Sequence, residues 1–461
     1  MNSLDRVDFG VGAAHHEQQL ADFFYRSGAF QAACSAKTYL ILGAKGAGKS
    51  AIFRMLQELR EEIPLFQPPN LWLPDEPRLR DYSATLHRLG ITSAVTLWRF
   101  YVATLIIGAC LSHPQLPEEL KKAYQRFLVR WGLVCEVPTF WQTVKKIKWS
   151  VGFKDYAKVE APAQATLTPN EIDYVIVTAD QWLNEIGADL WLGLDSLDEV
   201  ETNGSTHDKA EDLQSSLMRA VGELTRLKRI RFKLFFRTDI YQALTYVNKD
   251  HFSGVKLALR WSKEDLGIML GHRLHVLHSE HTAAITYPVA REWIDEFFDW
   301  PVAGLLQSFD DLYIAMRDGN GDVLPRDLVN FCISAQKLQQ SYNIQGIEAA
   351  ACNKCVSAAA IRRAFLQTAE SKLNDFLPVF QNFNETYERL RGGASRTFNR
   401  ADFSNAIGKK DPLDANLVIA DLVRVGALAI LDNKVVNLSD TFEIPVLYAV
   451  ALRINKSHER I

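Results

Sequence analysis

The sequence predicts an α/β protein: a five-stranded, mostly parallel sheet with flanking helices, followed by a helical region and a small C-terminal domain. Two patterns predict this arrangement. Short apolar runs alternate with helical segments over the first 260 residues, as in a sheet whose strands are joined by helices. From Trp261 onward the apolar residues recur with helical periodicity, and the chain after residue 390 contains two short helices and a hairpin.

Length and charge exclude several classes of protein. The chain has 461 residues, enough for roughly two to four domains, and 52 Lys and Arg nearly balance 55 Asp and Glu. A net charge of -3 excludes a polybasic nucleic-acid coat and an acidic tail. Six cysteines and a beginning without an apolar leader predict a reduced, cytoplasmic chain. The longest apolar run, residues 100–111, is shorter than the roughly 20 residues of a membrane span, so we expect a buried core helix and no membrane contact.

The clearest motif lies between an apolar run at residues 38–42 and a helical pattern at residues 51–60. It is Gly-x4-Gly-Lys-Ser, and in the order strand, loop, helix it predicts a phosphate-binding loop (P-loop) rather than a chance glycine-rich turn. Its glycines allow backbone N–H groups to curl around a phosphate; Lys49 would reach the β- and γ-phosphates, and Ser50 would bind Mg²⁺. The predicted nucleotide-binding residues of this loop are Gly43, Ala44, Lys45, Gly46, Ala47, Gly48, Lys49, Ser50 and Ala51.

A metal-bound nucleotide needs a carboxylate near the phosphates, and a second apolar run, after Asp189, ends in Asp195. We assign Asp195 to the water shell of Mg²⁺, at the end of a strand that neighbours the P-loop strand. Asp198 or Glu199, one turn later, would orient or deprotonate the attacking water. The alternative is a strand that merely ends in a polar loop, and three acids within five residues argue against it.

A third apolar run, residues 231–236, is followed by Arg237, Thr238 and Asp239. Because the carboxyl ends of parallel strands meet at one edge of a sheet, these residues would lie near the nucleotide. Arg237 and Thr238 would then sense the γ-phosphate, or Arg237 would act as an arginine finger on a neighbouring subunit. An ordinary ion pair of Arg237 at the strand end is an equally open alternative. Two shorter runs, 71–73 and 255–259, complete the five strands.

The distance between the P-loop and Asp195 predicts an insertion at about residues 113–169. Within it, residues 145–154 alternate apolar and polar side chains and predict one strand of a hairpin. Lysines beside aromatic residues there would suit nucleic acid, but a solvated outer face over a packed one is the favoured interpretation. Cys352 and Cys355, with two residues between them, have no second cysteine pair or histidine nearby in the sequence and are interpreted as two thiols at the start of a helix.

The chain after Trp261 predicts helices at residues 263–276, 290–300, 302–317 and 325–338, and a long helix at 358–390 that breaks near Pro378. Shorter helices at 399–407 and 414–425 precede a hairpin made of 428–431 and 435–438, which is the winged-helix order. Ten Lys and Arg against eight Asp and Glu after residue 390 make a weak electrostatic footprint for DNA. Protein packing or self-association of this domain is therefore favoured over DNA binding.

Three motifs together point to one family: the loop at 43–50, Leu-Asp-Ser-Leu-Asp-Glu at 194–199, and Phe-Phe-Arg-Thr-Asp-Ile at 235–240. This combination resembles a bacterial P-loop ATPase family of the STAND/KAP/AAA-like branch of the additional-strand P-loop NTPases. The resemblance implies ATP with Mg²⁺ and a helical lid whose Arg326 acts like a sensor-2 arginine. It also implies an antiphage role, because some relatives lie in mobile defence loci. The chain departs from the family in lacking a transmembrane insertion and in its Asp-x-x-Asp-Glu acidic motif.

We therefore expect three domains: a P-loop ATPase core over residues 1–260 that contains the insertion, an α-helical lid domain over 261–350, and a helical and winged-helix-like domain over 351–461. The favoured function is an ATP-binding and ATP-hydrolysing switch that forms a homo-oligomer or acts through an effector protein. One alternative is a winged-helix adaptor or DNA-binding protein whose nucleotide site is structural or regulatory. The other is a DNA-translocating motor, which the near-neutral charge makes least favoured.

Overall fold

The computed structural model describes residues 3–12, 17–76, 94–130, 169–197, 207–246, 249–280, 283–347, 354–378, 380, 383–409, 411–432 and 436–454. The chain divides into two compact units. One, the sheet unit, contains residues 28–44 and 49–259; the other, the helical unit, contains residues 1–27, 45–48 and 260–461. The predicted strand at 145–154 and the predicted residues Asp198, Glu199 and Cys352 lie outside the described residues.

The secondary structure of the chain is as follows. The strands are β1 (Leu40–Gly43), β2 (Leu71–Asp75), β3 (Leu190–Leu194), β4 (Ile230–Arg237), β5 (Lys256–Ala258), β6 (Thr397–Asn399), β7 (Ala429–Ile430) and β8 (Thr441–Glu443). The helices are α1 (Ser3–Arg6), α2 (Leu20–Phe23), α3 (Gly28–Ala33), α4 (Lys49–Glu58), α5 (Ala94–Leu111), α6 (Glu118–Arg130), α7 (Pro169–Glu185), α8 (His207–Leu224), α9 (Thr238–Ala243), α10 (Lys263–Leu274), α11 (Tyr287–Phe297), α12 (Phe309–Ala315), α13 (Pro325–Gln345), α14 (Ala358–Phe376), α15 (Asn384–Leu390), α16 (Arg400–Ala406), α17 (Pro412–Arg424) and α18 (Val446–Ala451).

The first five strands form one sheet in the order β2-β3-β4-β1-β5. Every pairing in it is parallel: β1 with β4 and β5, and β3 with β2 and β4. All residues of β1 and β3 are buried, as expected for parallel strands that helices cover on both faces. The predicted five-stranded α/β core is confirmed.

The core of the sheet unit contains the long apolar helix α5, which packs against α7 and α8. Twelve of its residues are buried, so it is apolar nearly all round, as a central helix must be. The predicted core helix is thus confirmed, but it begins at Ala94 rather than near Phe100. Among the described helices α5 alone is long and apolar enough to cross a membrane, and 67% of it is buried. One buried helix of this kind is weak evidence for a membrane span, because core helices have the same composition.

The helical unit contains two packed helix pairs, α10 with α11 and α13 with α14. Its N-terminal segment belongs to the same core: Leu4, Val7 and Phe9 are at most 4% exposed and cluster with residues of the later helices. Burying these three side chains stabilises the unit by about 1.5–3 kcal/mol each. A segment at the start of the chain is therefore held by residues that follow position 260.

Two helix boundaries in this unit differ from the sequence prediction. The helix predicted over 302–317 is confined to α12, because Gly304 adopts a left-handed φ of +104° and the Ser308 side chain caps the helix start by accepting from the Asp311 N–H. Helix α13 continues past residue 338 and ends at Gly346, whose φ is +64°. A glycine in this conformation is a common helix end.

The C-terminal domain has the winged-helix order, with α16 and α17 between β6 and β7. Its three strands are antiparallel in the order β6-β8-β7. One predicted strand is wrong: Val436–Leu438 is a 3-10 turn, and the second arm of the hairpin is β8. The reason is Arg400, whose Nη2 donates to the Val436 and Ser439 carbonyls and so removes them from strand pairing. The predicted fold class, a P-loop core with helical and winged-helix domains, is confirmed with this correction.

Candidate functional site

The P-loop connects β1 to α4, as the motif predicts. Gly46 and Gly48 have φ of +96° and +95°, values that residues with a side chain rarely adopt. Space is also limited at Gly46, where an added Cβ would lie 3.2 Å from the Arg326 Cβ. Glycine is therefore required at both positions for the backbone to curl in the way that phosphate binding needs.

Lys49 is the first residue of α4 and is only 8% exposed. Its Nζ donates to the carbonyls of Gly43 (3.0 Å) and Ala44 (3.1 Å), at the start of the loop. The ammonium is thus held inside the loop, at the N-terminal end of a helix whose dipole favours an anion. Ser50 and Ala51 follow in the first turn of α4, so the hydroxyl predicted to bind Mg²⁺ is placed beside Lys49 in the chain.

Asp195 follows β3 directly and is 2% exposed. The sequence placed it on a strand that neighbours β1, and this is wrong: β4 lies between β1 and β3. The carboxyl ends of all three strands point the same way because their pairing is parallel, so Asp195 and the P-loop lie at the same edge of the sheet.

The backbone around Asp195 is unusual and firmly held. The Asp195 N–H donates to the Asp75 carbonyl at 3.1 Å. Ser196 has a left-handed φ of +58°, which is uncommon for a residue other than glycine. Gln214, on α8, donates its side-chain Nε2 to the Leu197 carbonyl at 2.8 Å and is itself 3% exposed. Strained backbone of this kind concentrates at functional sites, where surrounding contacts maintain it.

A second acid at this edge was missed in the sequence. Asp75 ends β2, and β2 pairs with β3 so that Asp75 lies opposite Leu194, next to Asp195. The Tyr101 hydroxyl donates to the Asp75 carboxylate. The signal was present, since Asp75 comes two residues after an apolar run, 71–73, that was predicted to be a strand. Only the strand order places it beside Asp195.

Arg237 ends β4 in register with Gly43 of the P-loop strand. Its guanidinium binds Asp239 through two contacts, Nε to Oδ1 at 3.1 Å and Nη2 to Oδ2 at 2.6 Å. Arg237 is 8% exposed, so the pair is largely removed from solvent. Thr238 is the first residue of α9. The structure therefore shows the strand-end ion pair that the sequence left open, one strand away from the phosphate loop.

Arg326 is the second residue of α13, within the helical unit that also contains loop residues 45–48. Its backbone N–H donates to the Gly46 carbonyl at 3.4 Å, and its Nε donates to the Gly12 carbonyl at 3.3 Å. The predicted sensor-2 arginine thus contacts the P-loop through its backbone. Its side chain extends to the N-terminal segment, which the sequence did not predict.

Trp261 is a further residue at the loop that sequence reasoning did not assign. Its indole Nε1 donates to the Ala47 carbonyl at 2.9 Å, and its ring lies 3.7 Å from where a Cβ on Gly48 would be. The residue stands at the start of the helical region, next to the cap of α10. Its signal in the sequence was a lone aromatic residue at the point where helical periodicity begins.

The residues present suit Mg²⁺ bound together with phosphate. Ser50 supplies a hydroxyl and Asp195 a carboxylate, and Mg²⁺ prefers oxygen ligands and keeps several waters. Among the described residues no group of three or more His, Cys, Asp or Glu side chains is close enough to hold a metal without such help. The two acids predicted to activate water, Asp198 and Glu199, lie outside the described residues.

Lys233, in the middle of β4, was also not assigned a role from the sequence. It is fully buried, and its Nζ donates to the carbonyls of Ala33 (2.7 Å), Ser35 (3.0 Å) and Thr38 (3.0 Å). Burial lowers the pKa of Lys233 from 10.5 to about 7. The side chain thereby fixes the turn that leads from α3 into β1 and the P-loop.

Comparison with known proteins gives little beyond this geometry. No protein-family model matches the chain, and no curated protein matches it. Similar solved structures include Cdc6p from Pyrobaculum aerophilum, with 11% identity and a TM-score of 0.31 over 92% of this chain and 87% of that one. Another is the ORC2 protein of Aeropyrum pernix in ADPNP–ADP complexes, with 12% identity and a TM-score of 0.40 over 94% of each chain. Likenesses of this size identify no family, so the assignment of the site depends on the loop, the strand order and the buried acids.

Proposed function

We propose that the chain is an ATP-binding and ATP-hydrolysing molecular switch. The observation that carries this proposal is the P-loop itself, with two glycines of positive φ and the buried Lys49 ammonium at the N-terminal end of α4. A phosphate chain is the ligand that suits inward-pointing N–H groups, a helix N-terminus and a buried cation together. The proposal that the base is adenine comes from the sequence resemblance.

The roles of the site residues follow from their chemistry. Lys49 would neutralise the β- and γ-phosphates, while Ser50 and Asp195 would hold Mg²⁺ and its water shell. Asp198 or Glu199 would orient or deprotonate the attacking water. Arg237 and Thr238, at the end of the strand next to β1, would sense the γ-phosphate. Arg237 would have to release Asp239 before it could bind the γ-phosphate, whether of its own nucleotide or of one bound to a neighbouring subunit.

The contacts of the loop with Trp261 and Arg326 support a switch. Both residues bind carbonyls of loop residues 46 and 47, and both stand at the starts of helical segments. A bound phosphate that reoriented these loop peptides would therefore move the carbonyls to which Arg326 of α13 and Trp261, just before α10, donate. Nucleotide state would in this way reach the helical and winged-helix domains, which we propose to act through a homo-oligomer or an effector protein in the cytoplasm. Membership of the STAND/KAP-like branch and a part in antiphage defence or stress response are supported by the resemblance alone.

The second candidate is a winged-helix adaptor or DNA-binding protein whose nucleotide is structural or regulatory. The observation that favours it is the ion pair of Arg237 with Asp239, which occupies the arginine that hydrolysis would use. A measurement of ATP turnover separates the two candidates, because a structural nucleotide is bound without being hydrolysed.

The test is ATP binding and hydrolysis by the full chain and by Lys49→Ala, alone and with double-stranded DNA. Loss of charge-assisted contacts to two phosphates predicts affinity at least about 100-fold weaker in the variant, and no turnover. Lys37→Ala is the matched control, since Lys37 is an exposed lysine in the turn before β1. Unchanged ATP affinity in Lys49→Ala would refute the assignment of the loop.

A second pair of variants separates binding from hydrolysis. Asp198→Asn and Glu199→Gln should retain ATP affinity, and the one that replaces the water-activating acid should lose turnover about 100-fold or more. Full turnover in both would remove these acids from the mechanism. Tight binding without turnover in the unaltered chain, under every condition, would favour the adaptor.

A further inference from the structure

The ion pair at the end of β4 joins two side chains that are one residue apart. Arg237 uses Nε and Nη2, one edge of its guanidinium, to bind both carboxylate oxygens of Asp239. The Asp239 side chain is only 14% exposed, so water competes little for the pair. Both residues belong to the sheet unit, and rotations of the two side chains are enough to separate them.

Arg237 lies on the face of the sheet that the P-loop helix covers. Phe235, two residues earlier on β4, packs against Phe53 of α4 with the ring centres 5.4 Å apart. Side chains two positions apart on a strand share a face, so Arg237 is on the α4 side as well. Its partner in register is Gly43, whose carbonyl also accepts from the Lys49 Nζ at 3.0 Å. Arg237 and the lysine predicted to reach the phosphates are therefore both neighbours of Gly43.

A carboxylate and a phosphate compete for the same edge of a guanidinium. The planar fork of arginine binds either anion through two parallel N–H···O contacts. Asp239 occupies such an edge, so a phosphate cannot bind there at the same time. A terminal phosphate carries about 1.5–2 negative charges near neutral pH, against one on a carboxylate, and can displace it. ADP has no γ-phosphate with which to do so.

We propose that Asp239 holds Arg237 away from the nucleotide and is displaced by the γ-phosphate of ATP bound to the same chain, so that Asp239 limits how strongly the chain distinguishes ATP from ADP. The pair is closed in the empty and ADP-bound chain. In the ATP-bound chain the guanidinium binds the γ-phosphate, and part of the affinity for that phosphate is used to open the pair. The inference deepens the proposed function and rests on it, because the ligand is the nucleotide of the same site.

The first experiment measures the affinities for ADPNP, an ATP analogue that resists hydrolysis, and for ADP by calorimetric titration. Asp239→Asn keeps the shape of the side chain and removes its charge. Its ratio of ADPNP to ADP affinity should rise at least about tenfold, since Arg237 is no longer held by a charge-assisted contact. Its ADP affinity should stay within about twofold. Asp239→Glu retains a carboxylate and should leave the ratio near that of the unaltered chain.

An unchanged ratio in Asp239→Asn would overturn the proposal. A lowered ratio would overturn it too, because Asp239 would then orient Arg237 toward the phosphate rather than hold it away. Asp239→Ser, which also suits the first turn of a helix, takes the place of Asp239→Asn if that variant does not fold.

The second experiment separates this competition from simple repulsion between Asp239 and the phosphates. If the pair acts as proposed, the gain requires Arg237, so Arg237→Gln and Arg237→Gln/Asp239→Asn should have ratios within about twofold of each other. A tenfold gain in the double variant would overturn the proposal. The matched control is Glu58→Gln, which breaks the Arg54–Glu58 pair of α4 and removes one negative charge from the same unit. Its ratio should equal that of the unaltered chain.

Lys49→Ala distinguishes failure of this inference from failure of the proposed function. Loss of nucleotide binding in Lys49→Ala with an unchanged ratio in Asp239→Asn would remove the role of Asp239 and leave the ATP site. Equal ADPNP affinity in Lys49→Ala and in the unaltered chain would refute the site, and displacement by its γ-phosphate with it. Because binding is measured, a raised ratio in a chain without turnover would support the role of Asp239 and favour the adaptor.

Discussion

In each of the two sheets, one basic side chain binds the carbonyls of a neighbouring loop and lies over an aromatic ring. In the parallel sheet, Lys233 binds three carbonyls and lies 4.9 Å from the centre of the Trp191 ring. In the winged-helix sheet, Arg400 binds the Val436 and Ser439 carbonyls and lies 5.2 Å from the centre of the Phe442 ring. The two differ in burial: Lys233 is fully buried, whereas the Arg400 side chain is 24% exposed.

The difference shows how the cost of burying a charge depends on the group that carries it. A buried lysine can lose its proton, and burial brings the pKa of Lys233 to about 7. A guanidinium stays charged, and partial exposure reduces the desolvation that it would otherwise suffer. The lowered pKa of Lys233 therefore makes the stability of the parallel sheet depend on pH.

The largest effect is expected for Lys233→Met, which keeps most of the side-chain volume and removes the donor. Three buried carbonyls would lose their partner, and the expected loss is about 3 kcal/mol of unfolding free energy at pH 6. Chemical denaturation measures it, with the exposed Lys228→Met as the control. A loss no larger than in the control would mean that Lys233 does not fix the turn before β1.

The pH dependence of stability gives the next effect. In the unfolded chain Lys233 titrates near its ordinary value of 10.5, and in the folded chain near 7. Between these values the unfolded state binds the proton and the folded state does not, so this residue makes unfolding free energy rise with pH. We expect the difference between the unaltered chain and Lys233→Met to grow by about 2 kcal/mol from pH 7 to pH 9. A constant difference over that range would contradict the lowered pKa.

A smaller effect is expected for Arg400 in the winged-helix sheet. Arg400→Met should cost about 1.5 kcal/mol, since the charge-assisted bonds of this partly exposed side chain are replaced only in part by water. The cost should not change between pH 6 and pH 9. Thermal or chemical unfolding of the variant at both pH values tests this, and a slope with pH would remove the contrast with Lys233.

The smallest effect is expected at the P-loop. Trp261→Phe keeps an aromatic ring but removes the N–H that donates to the Ala47 carbonyl. ATP affinity should fall about fivefold, which corresponds to about 1 kcal/mol for one neutral hydrogen bond. Calorimetric titration measures this fall. Unchanged affinity would indicate that the loop does not need the Trp261 hydrogen bond to hold its shape.

Much of the fold was predictable because local patterns determine it. The runs at 38–42, 189–194 and 231–236 contain strands of the parallel sheet. A short, continuous apolar run that is followed by a loop and a helix is typical of a parallel strand buried on both faces. Gly46 and Gly48 were predictable from the motif, because their positive φ is a property of the loop alone. Arg326 was assigned by resemblance; its backbone N–H binds the Gly46 carbonyl, and its role as a sensor-2 arginine stays a prediction.

What the sequence did not predict depends on contacts distant in the chain. Asp75 gains its position beside Asp195 only from the strand order, and Lys233 is buried only because α3 ends above it. The second strand of the hairpin was predicted at 435–438 because those residues are β-prone. Arg400, 36 residues before Val436, instead donates to the Val436 carbonyl, which a strand would use for pairing. Single-sequence patterns carry no information on such pairings.

The burial of Leu4, Val7 and Phe9 in the helical unit has a consequence for the order in which the chain is made. These residues are synthesised before the helices against which they are buried, because those helices follow position 260. Residues 28–44 and 49–259 of the sheet unit are therefore all available for folding while the first segment still lacks its partners. Until those helices are synthesised, the nascent chain carries these apolar side chains without their partners, and such a segment is a natural binding site for chaperones.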